Sequence, residues 1–196
     1  MGNQVLIVGA GPTGLVLALW LARSQVPFRI IEKNSGPGQA SRAMAVQART
    51  LEFYRQLGIA NQVIESGIRM SGGHLRRGSR VVADFQFDDI GPDISPFPFI
   101  LSLPQDDHEH LLVKCLEESG NHVEWNTQLI QSRDEGSTVK VTLRKGTTEE
   151  ACEFAYVCGC DGAHSTVRQE LGLNFPGGTY EQLFYVHRCP GRRADV

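Results

Sequence analysis

The 196-residue sequence lacks the features that would indicate a membrane-spanning, secreted or nucleic-acid-binding protein. No apolar run approaches the roughly 20 residues that cross a bilayer. The apolar N-terminal stretch has no basic leader, and Gly9, Gly11 and Pro12 interrupt it. Lysine and arginine total 19 against 22 acidic residues, so the formal net charge is −3 and no basic field attracts nucleic acid. We therefore expect a cytoplasmic protein with no membrane span and no nucleic-acid partner.

Cysteine is also sparse, with five residues in the chain. An odd number in a sequence without secretory features argues against a disulfide framework. Cys158 and Cys160 flank Gly159, but no second cysteine or histidine pair stands at ligand spacing. The sequence therefore predicts no metal site.

The start of the chain contains a βαβ pattern. A short apolar strand over Val5–Val8 leads into a glycine-rich turn, a helix follows, and a second strand over Phe28–Ile31 ends on Glu32. The turn has G-x-G-x-x-G spacing, at Gly9, Gly11 and Gly14. The first glycine permits a tight turn, the second lets a pyrophosphate approach the backbone, and the third lets the helix pack on the sheet. This order of elements predicts a dinucleotide-binding unit.

The same unit indicates how a dinucleotide would be oriented. Its phosphates would lie on the unpaired N–H groups at the start of the helix near Thr13, where the helix dipole also favours negative charge. Glu32 is placed to accept hydrogen bonds from a ribose hydroxyl pair. Because a carboxylate disfavours a 2′-phosphate, FAD or NAD is expected here in preference to NADP.

Further along the chain, local patterns predict two more helices and a series of short strands. One helix is predicted from about Val46 to Leu57, ended by Gly58, and another from about Gln105 to Glu118. Strands are predicted over Val81–Phe87, His122–Trp125, Thr127–Ser132, Thr138–Arg144 and Glu153–Val157, with residues 135–137 and 146–150 as turns of an antiparallel meander. The last strand is apolar on both faces, which favours a buried parallel strand.

A second strand-to-helix turn follows, with the sequence CDGAHSTVR at residues 160–168. Ligands of open α/β sheets lie outside the carboxyl ends of the strands, so Asp161 is expected to face the same crevice as Gly11 and Glu32. A carboxylate and free backbone N–H groups suit polyol hydroxyls and phosphates.

Four segments together resemble the FAD-binding part of the aromatic-ring hydroxylases, the single-component flavoprotein monooxygenases similar to para-hydroxybenzoate hydroxylase and the polyketide hydroxylases. The segments are GAGPTG with Glu32, SRAMAVQARTLE at 41–52, LPQDDHEHLL at 103–112 and GCDGAHSTVR at 159–168. The similarity runs from about Val5 to Tyr185. It implies an α/β fold with a Rossmann-like, doubly wound, mainly parallel sheet, an antiparallel β-meander and the beginning of a substrate domain.

The resemblance also implies a cofactor, a co-substrate and the residues that contact them. FAD would be bound, with Asp161 on its ribityl side, and NAD(P)H would act as co-substrate and use the same segment. Arg42 would contact the pyrophosphate region, Gln105 the ribityl chain or a phosphate, and Leu129 would offer backbone contacts near the adenine. The full expected cofactor-binding set is Gly9, Gly11, Pro12, Thr13, Gly14, Glu32, Lys33, Arg42, Gln105, Leu129, Asp161 and Gly162. No catalytic side chain is expected, because the flavin supplies the chemistry.

The expected domain organisation is an FAD-binding domain over residues 1–172, in which residues 70–103 begin the substrate region, and an atypical tail over residues 173–196. The family has a later Gly-Asp segment that contacts FAD from the opposite side, and this sequence contains no Gly-Asp dipeptide. The isolated chain is therefore expected to bind FAD weakly and to hydroxylate poorly.

For the complete family form, the resemblance implies NAD(P)H- and O2-dependent hydroxylation of a small aromatic substrate. Two alternatives stay open. An NAD-dependent reductase would use the βαβ unit but leaves Gln105 and residues 160–168 without a role. A non-catalytic remnant of the domain would keep the motifs and dock on another subunit.

Overall fold

The fold is described from a computed structural model that covers residues 4–38, 43–87, 93–178 and 181. The helices are α1 (Pro12–Arg23), α2 (Ala48–Leu57), α3 (Ala60–Ser66), α4 (Gln105–Glu118) and α5 (Thr166–Glu170). The strands are β1 (Val5–Val8), β2 (Phe28–Glu32), β3 (Ala45–Val46), β4 (Ile68–Met70), β5 (Gly72–Arg77), β6 (Arg80–Gln86), β7 (Ile100–Ser102), β8 (Val123–Trp125), β9 (Thr127–Asp134), β10 (Val139–Lys145), β11 (Thr148–Phe154) and β12 (Tyr156–Gly159).

The central sheet is four-stranded and parallel, with the order β12-β1-β2-β8. In its register, Val5 pairs with Phe28 of β2 and with Tyr156 of β12, and Val8 pairs with Gly159. The carboxyl ends of β1, β2 and β12 therefore meet at one edge of the sheet. This confirms the predicted α/β class with a parallel sheet.

Alternate residues of β1 face two different cores. Val5 and Ile7 pack in a core with buried residues of α1, α2 and α4. Leu6 and Val8 pack in a second core, where β9, β10, β11 and α5 contribute the buried side chains. Period-two alternation in a strand buried on both faces produces this arrangement. Helices thus cover one face of the parallel sheet, and the antiparallel meander β9-β10-β11 covers the other.

Local sequence signals account for α4, whose bounds match the prediction. Pro104 is its N-cap, and Asp106 and Asp107 lie in the first turn, where the helix dipole favours acids. Leu112 and Leu116 are fully buried at i, i+4 spacing. The predicted meander is likewise confirmed, with β10 paired to both β9 and β11 in antiparallel register.

The helix predicted from about Val46 begins two residues later, at Ala48. Val46 instead belongs to β3 and pairs with Leu101 of β7 in an antiparallel sheet with the order β3-β7-β4. The prediction was wrong at this end because the pairing partner lies more than fifty residues away, where a local pattern cannot register it. The end at Leu57, with Gly58 in the left-handed conformation at φ +83, agrees with the prediction.

The single strand predicted over Glu153–Val157 is also wrong, because it joins the end of β11 to the start of β12. The strand is interrupted by a bend at Ala155, where the chain passes from the meander into the parallel sheet. The turn predicted at residues 146–150 is shorter, since β11 already begins at Thr148. The expected buried parallel strand is parallel, but β12 is the edge of the sheet and Tyr156 is 66% exposed.

Residues 70–103 contain elements that the sequence pattern did not indicate. β5 and β6 form an antiparallel hairpin of their own, apart from the other sheets. The predicted strand over Val81–Phe87 corresponds to β6, whereas β5 was not predicted. The sequence pattern also did not indicate α3, which precedes this segment. The assignment of this segment to a substrate region stays a prediction. No helix within the described ranges has the length and apolarity to cross a membrane.

Arg29 joins the parallel sheet to the meander by an ionic network. Its guanidinium donates to Glu124 of β8 at 2.7 and 2.8 Å and to Glu150 of β11 at 3.1 and 3.2 Å. The pKa of Arg29 is raised, first by the hydrogen bond to Glu124, whereas partial burial opposes the rise. Because the Arg29 side chain is only 18% exposed, we expect this network to contribute more than a surface ion pair.

Replacing Arg29 by methionine is expected to lower the free energy of unfolding by about 2 kcal/mol, because Glu124 loses its partner in a partly buried position. Urea denaturation followed by circular dichroism measures this difference. The control is Arg144→Met, which breaks an ion pair with Glu149 whose side chains are 46% and 51% exposed and should cost less than about 1 kcal/mol. Equal losses in the two variants would contradict a special contribution from Arg29.

Tyr54 and His108 form a buried polar pair between α2 and α4. The Tyr54 hydroxyl and His108 Nε2 are 2.8 Å apart, and the two rings meet edge to face. Burial raises the pKa of Tyr54 and lowers that of His108, although the charge of Glu109 opposes the latter shift. The folded chain therefore keeps His108 neutral at pH values where the unfolded chain protonates it.

Because the folded-state pKa of His108 is depressed, its contribution to stability is complete above the ordinary value near 6.5 and is lost as pH falls below it. Between pH 7.5 and 5.5 we expect about 1 kcal/mol of this pH dependence to vanish in His108→Gln, which leaves Tyr54 a hydrogen-bonding partner. Urea denaturation at both pH values measures it. The exposed His122→Gln variant is the control and should retain the wild-type pH dependence, and an unchanged pH dependence in His108→Gln would refute the assignment.

Candidate functional site

The candidate site is the edge of the sheet at the carboxyl ends of β1, β2 and β12, and this surface is the predicted crevice. The strand ends are linked by backbone bonds, since Gly9 N donates to Ile31 O at 2.8 Å and Cys160 N donates to Val8 O at 2.7 Å. Asp161 lies next to the glycine turn, because a Cβ placed on Gly9 would be 2.8 Å from the Asp161 Cα. The structure therefore places Asp161 beside the glycine turn at one edge of the sheet, and their sharing of a ligand stays a prediction.

The three glycines of the turn differ in what surrounds them. Gly9 has φ +105, and a Cβ there would lie 2.4 Å from the Cys160 carbonyl oxygen. A Cβ on Gly14 would lie 1.9 Å from the Gly9 carbonyl oxygen. A Cβ on Gly11 would meet nothing within 4 Å. Glycine is thus required at positions 9 and 14, where a side chain would overlap the backbone. At Gly11 the space that a Cβ would enter is open, so a ligand can approach the backbone there.

Glu32 is held by backbone and side-chain donors on both of its oxygens. Oε2 accepts a hydrogen bond from Ala10 N at 3.0 Å, which joins the end of β2 to the glycine turn. Oε1 accepts from Asn34 N at 3.0 Å and from Asn34 Nδ2 at 2.6 Å. The acid expected to contact a ribose is therefore fixed in orientation by its own surroundings.

The turn after β12 is organised around the Asp161 carboxylate. Oδ1 accepts from Ser165 Oγ at 2.6 Å, and Oδ2 accepts from Thr166 N at 2.6 Å. Ser165 is the N-cap of α5, and its Oγ also accepts from Arg168 N at 3.0 Å. Gly162, at φ +79, provides the left-handed residue that the turn requires. The carboxylate thus shapes the turn and caps the helix that follows.

Cys160, between β12 and this turn, fills space rather than acting as a nucleophile. A Cβ on Gly14 would lie 3.3 Å from its Cβ, so the thiol packs at the start of α1. Burial raises the pKa of Cys160 to about 11, with smaller contributions from Cys158 and Asp161. At neutral pH the group is a protonated thiol, which is the unreactive form.

Of the other residues expected from the sequence, all but Arg42 lie within the described ranges. Pro12 occupies the first turn of α1, a position that suits a residue without an N–H, and Thr13 and Lys33 are exposed. Leu129 lies in β9 with a side chain only 2% exposed, so a ligand could contact it only through its backbone. Arg42 lies outside the described residues.

Gln105 begins α4, and its backbone N donates to Ala43 O at 3.0 Å. Its side-chain Nε2 donates to Glu109 Oε1 at 2.7 Å, and Glu109 Oε2 accepts from Gly38 N at 2.8 Å. Gln105 is therefore connected to the loop that follows Glu32.

Sequence reasoning did not find three side chains that shape the crevice: Asn34, Glu109 and Ser165. Ser165 had a local signal, since serine before a short helix is a favoured N-cap. Asn34 also had one, because asparagine side chains bond to nearby groups in turns. Glu109 had only the i, i+4 spacing to Gln105, and its bond to Gly38 is a tertiary contact that the sequence does not reveal.

The family model described as FAD binding domain matches residues 3–187 of the chain. The chain belongs to this family. Membership in the FAD binding domain family confirms the resemblance drawn from the four sequence segments. A curated relative of the chain, the 6-methylpretetramide 4-monooxygenase of Streptomyces rimosus, is 36% identical over 178 residues, which are 90% of this chain and 31% of the relative.

Solved structures agree with this assignment. A p-nitrophenol 4-monooxygenase from Pseudomonas putida superposes with a TM-score of 0.84 at 25% identity, covering 91% of this chain and 45% of that one. The flavin-dependent monooxygenase PieE, solved in complex with FAD and substrate, superposes with a TM-score of 0.82 at 29% identity, covering 90% and 33% respectively. The chain therefore spans about a third of the curated relative and less than half of either solved chain.

The surroundings of the glycines predict that two alanine substitutions differ strongly in their effect on the free energy of unfolding. Gly14→Ala is expected to lower the free energy of unfolding by about 3 kcal/mol or more, since its Cβ would overlap the Gly9 carbonyl. Gly11→Ala should change the free energy of unfolding by less than about 0.5 kcal/mol, because its Cβ meets nothing. Urea denaturation of both variants tests this difference, and similar losses would contradict the packing roles assigned here.

Proposed function

We propose that the crevice binds FAD through the residues at the carboxyl ends of β1, β2 and β12. The observation that carries the proposal is the convergence of three features on this edge: the glycine turn, the fixed Glu32 carboxylate and the turn at Asp161. The pyrophosphate would lie on the backbone N–H groups at the start of α1, and the adenosine ribose would lie beside Glu32. Membership in the FAD binding domain family supports this choice of ligand.

The residues present fit such a ligand. Gly11 leaves space at the point where a pyrophosphate would approach the backbone. A carboxylate has about four acceptor sites, and the described donors to Glu32 use one on Oε2 and two on Oε1. A further site on Oε2 can accept from a ribose hydroxyl, whereas a 2′-phosphate at that place would be repelled. We therefore favour FAD over an NADP-type ligand at this site.

The roles of the remaining expected residues belong to the same proposal. Gln105 would contact the ribityl chain, and Leu129 would offer backbone groups near the adenine. Asp161 would act by shaping its turn, since its two oxygens already accept bonds within it. The backbone around Gly162 and exposed Lys33 would complete the contacts, and Arg42 would bind near the pyrophosphate.

For the whole protein we propose NAD(P)H- and O2-dependent hydroxylation of a small aromatic compound. Bound FAD would accept electrons from NAD(P)H and activate O2, while the chain's residues bind and orient it and keep water from it. The relatives reported above are monooxygenases, among them a p-nitrophenol 4-monooxygenase. Because the chain covers only part of these proteins, we propose that it binds FAD and does not hydroxylate efficiently by itself.

The two other functions considered from the sequence make different spectroscopic predictions. An oxidised flavin spectrum at close to one FAD per chain would support the present proposal. Bound nicotinamide without flavin would support an NAD-dependent reductase. A colourless chain that takes up neither would support a non-catalytic remnant.

Titration of FAD with the purified chain, followed by flavin fluorescence, is expected to give saturable one-to-one binding. Gly11→Ala should weaken FAD binding about tenfold or more, because its Cβ occupies the side from which the pyrophosphate approaches. The control is Gly73→Ala in the β5–β6 hairpin, where a Cβ would be 3.7 Å from Phe87, an ordinary contact. Wild-type affinity in Gly11→Ala would contradict the proposed position of the pyrophosphate.

A further inference from the structure

Glu109 is a buried charged side chain that none of the implied cofactor contacts includes. It lies in α4 and is 6% exposed. Burying a carboxylate is costly unless hydrogen bonds satisfy its oxygens. A buried acid near a ligand crevice therefore requires an explanation from the groups it contacts.

Both Glu109 oxygens accept hydrogen bonds, and the two donors lie in different parts of the chain. Oε2 accepts from Gly38 N at 2.8 Å, in the loop that follows Glu32. Oε1 accepts from Gln105 Nε2 at 2.7 Å, in the first turn of the same helix. The fit at the loop is close, since a Cβ on Gly38 would lie 3.1 Å from Oε2. One carboxylate thus ties the loop after Glu32 to Gln105 at the start of α4.

The bond from Gln105 also fixes the orientation of its amide. A carboxylate only accepts hydrogen bonds, so the NH2 branch of the Gln105 amide must face Glu109. Turning the amide over would therefore break the bond to Glu109.

We propose that Glu109 is a positioning residue of the FAD site, which orients the Gln105 amide and holds the loop after Glu32 in place. This inference rests on the proposed function. It adds a residue that acts through Gln105 and the loop after Glu32 and does not itself touch the cofactor. Charge-assisted hydrogen bonds of this kind are about twice as strong as neutral ones, which suits a positioning role.

Glu109→Gln keeps the shape of the side chain but replaces one acceptor oxygen with an NH2 group. The new amide cannot accept from both donors, so either Gly38 N loses its acceptor or the Gln105 amide must turn over. We expect FAD binding to weaken about tenfold, measured by fluorescence titration well below the unfolding temperature. Glu117→Gln, an exposed change of the same charge on the same helix, is the matched control and should retain wild-type affinity.

A double-mutant cycle separates positioning from general stability. In the Gln105→Ala background, Glu109→Gln should weaken FAD binding by less than about threefold, because the amide that it orients is gone. Gly38→Ala tests the same carboxylate without altering its charge, since the new Cβ presses on Oε2. It should also weaken FAD binding, and it keeps the proposal testable if Glu109→Gln does not fold.

Three outcomes would overturn the inference. A Glu109→Gln variant with a lower unfolding midpoint but wild-type FAD affinity would give Glu109 a structural role only. Equal effects of Glu109→Gln with and without Gln105 would remove the link between the two side chains. A wild-type chain that does not bind FAD would refute the proposed function itself, and that result is distinguishable from the first two because they require binding by the wild type.

Discussion

The close approach of three backbone segments at the end of β1 is the constraint on which the rest of the site depends. The carbonyl of Gly9 leaves no room for a Cβ on Gly14, and the carbonyl of Cys160 leaves none on Gly9. β1, the start of α1 and the end of β12 therefore meet with no side chain between them. This contact directs the first turn of α1 and the turn at Asp161 toward the same crevice.

The acids of the crevice contribute mainly through the geometry of the backbone. Glu32 accepts from the N–H of Ala10, and Asp161 accepts from the N–H of Thr166, each across a turn that a ligand would contact. Glu109 does the same for Gly38 at the edge of the site. Each carboxylate fixes its loop through hydrogen bonds to the backbone. Substitution of any of these acids should therefore change loop position as well as charge.

Most elements that the sequence predicted have local signals, and two of its errors involve partners that are distant in the chain. The bounds of β1 and α4 follow from glycines, a proline, acids in a first turn and apolar periodicity. Val46 was misassigned because its strand partner is Leu101. The break at Ala155 was missed because no glycine or proline marks it, although β11 and β12 belong to different sheets. In the same way, motif spacing located Asp161, but only the fold reveals that its carboxylate caps α5.

The proposed cofactor site depends mainly on backbone groups. This explains how a chain that spans about a third of a relative can still contain the motif that would bind the cofactor. The groups that would bind the pyrophosphate are backbone N–H donors at the start of α1, and the two cores on either side of β1 hold them rigidly. The residues of both cores bury β1 on its two faces. Shielding of a bound flavin, in contrast, requires surface that surrounds the ring. Holding backbone donors in place and protecting a reactive cofactor are therefore separate structural requirements, and the contacts at β1 bear on the first.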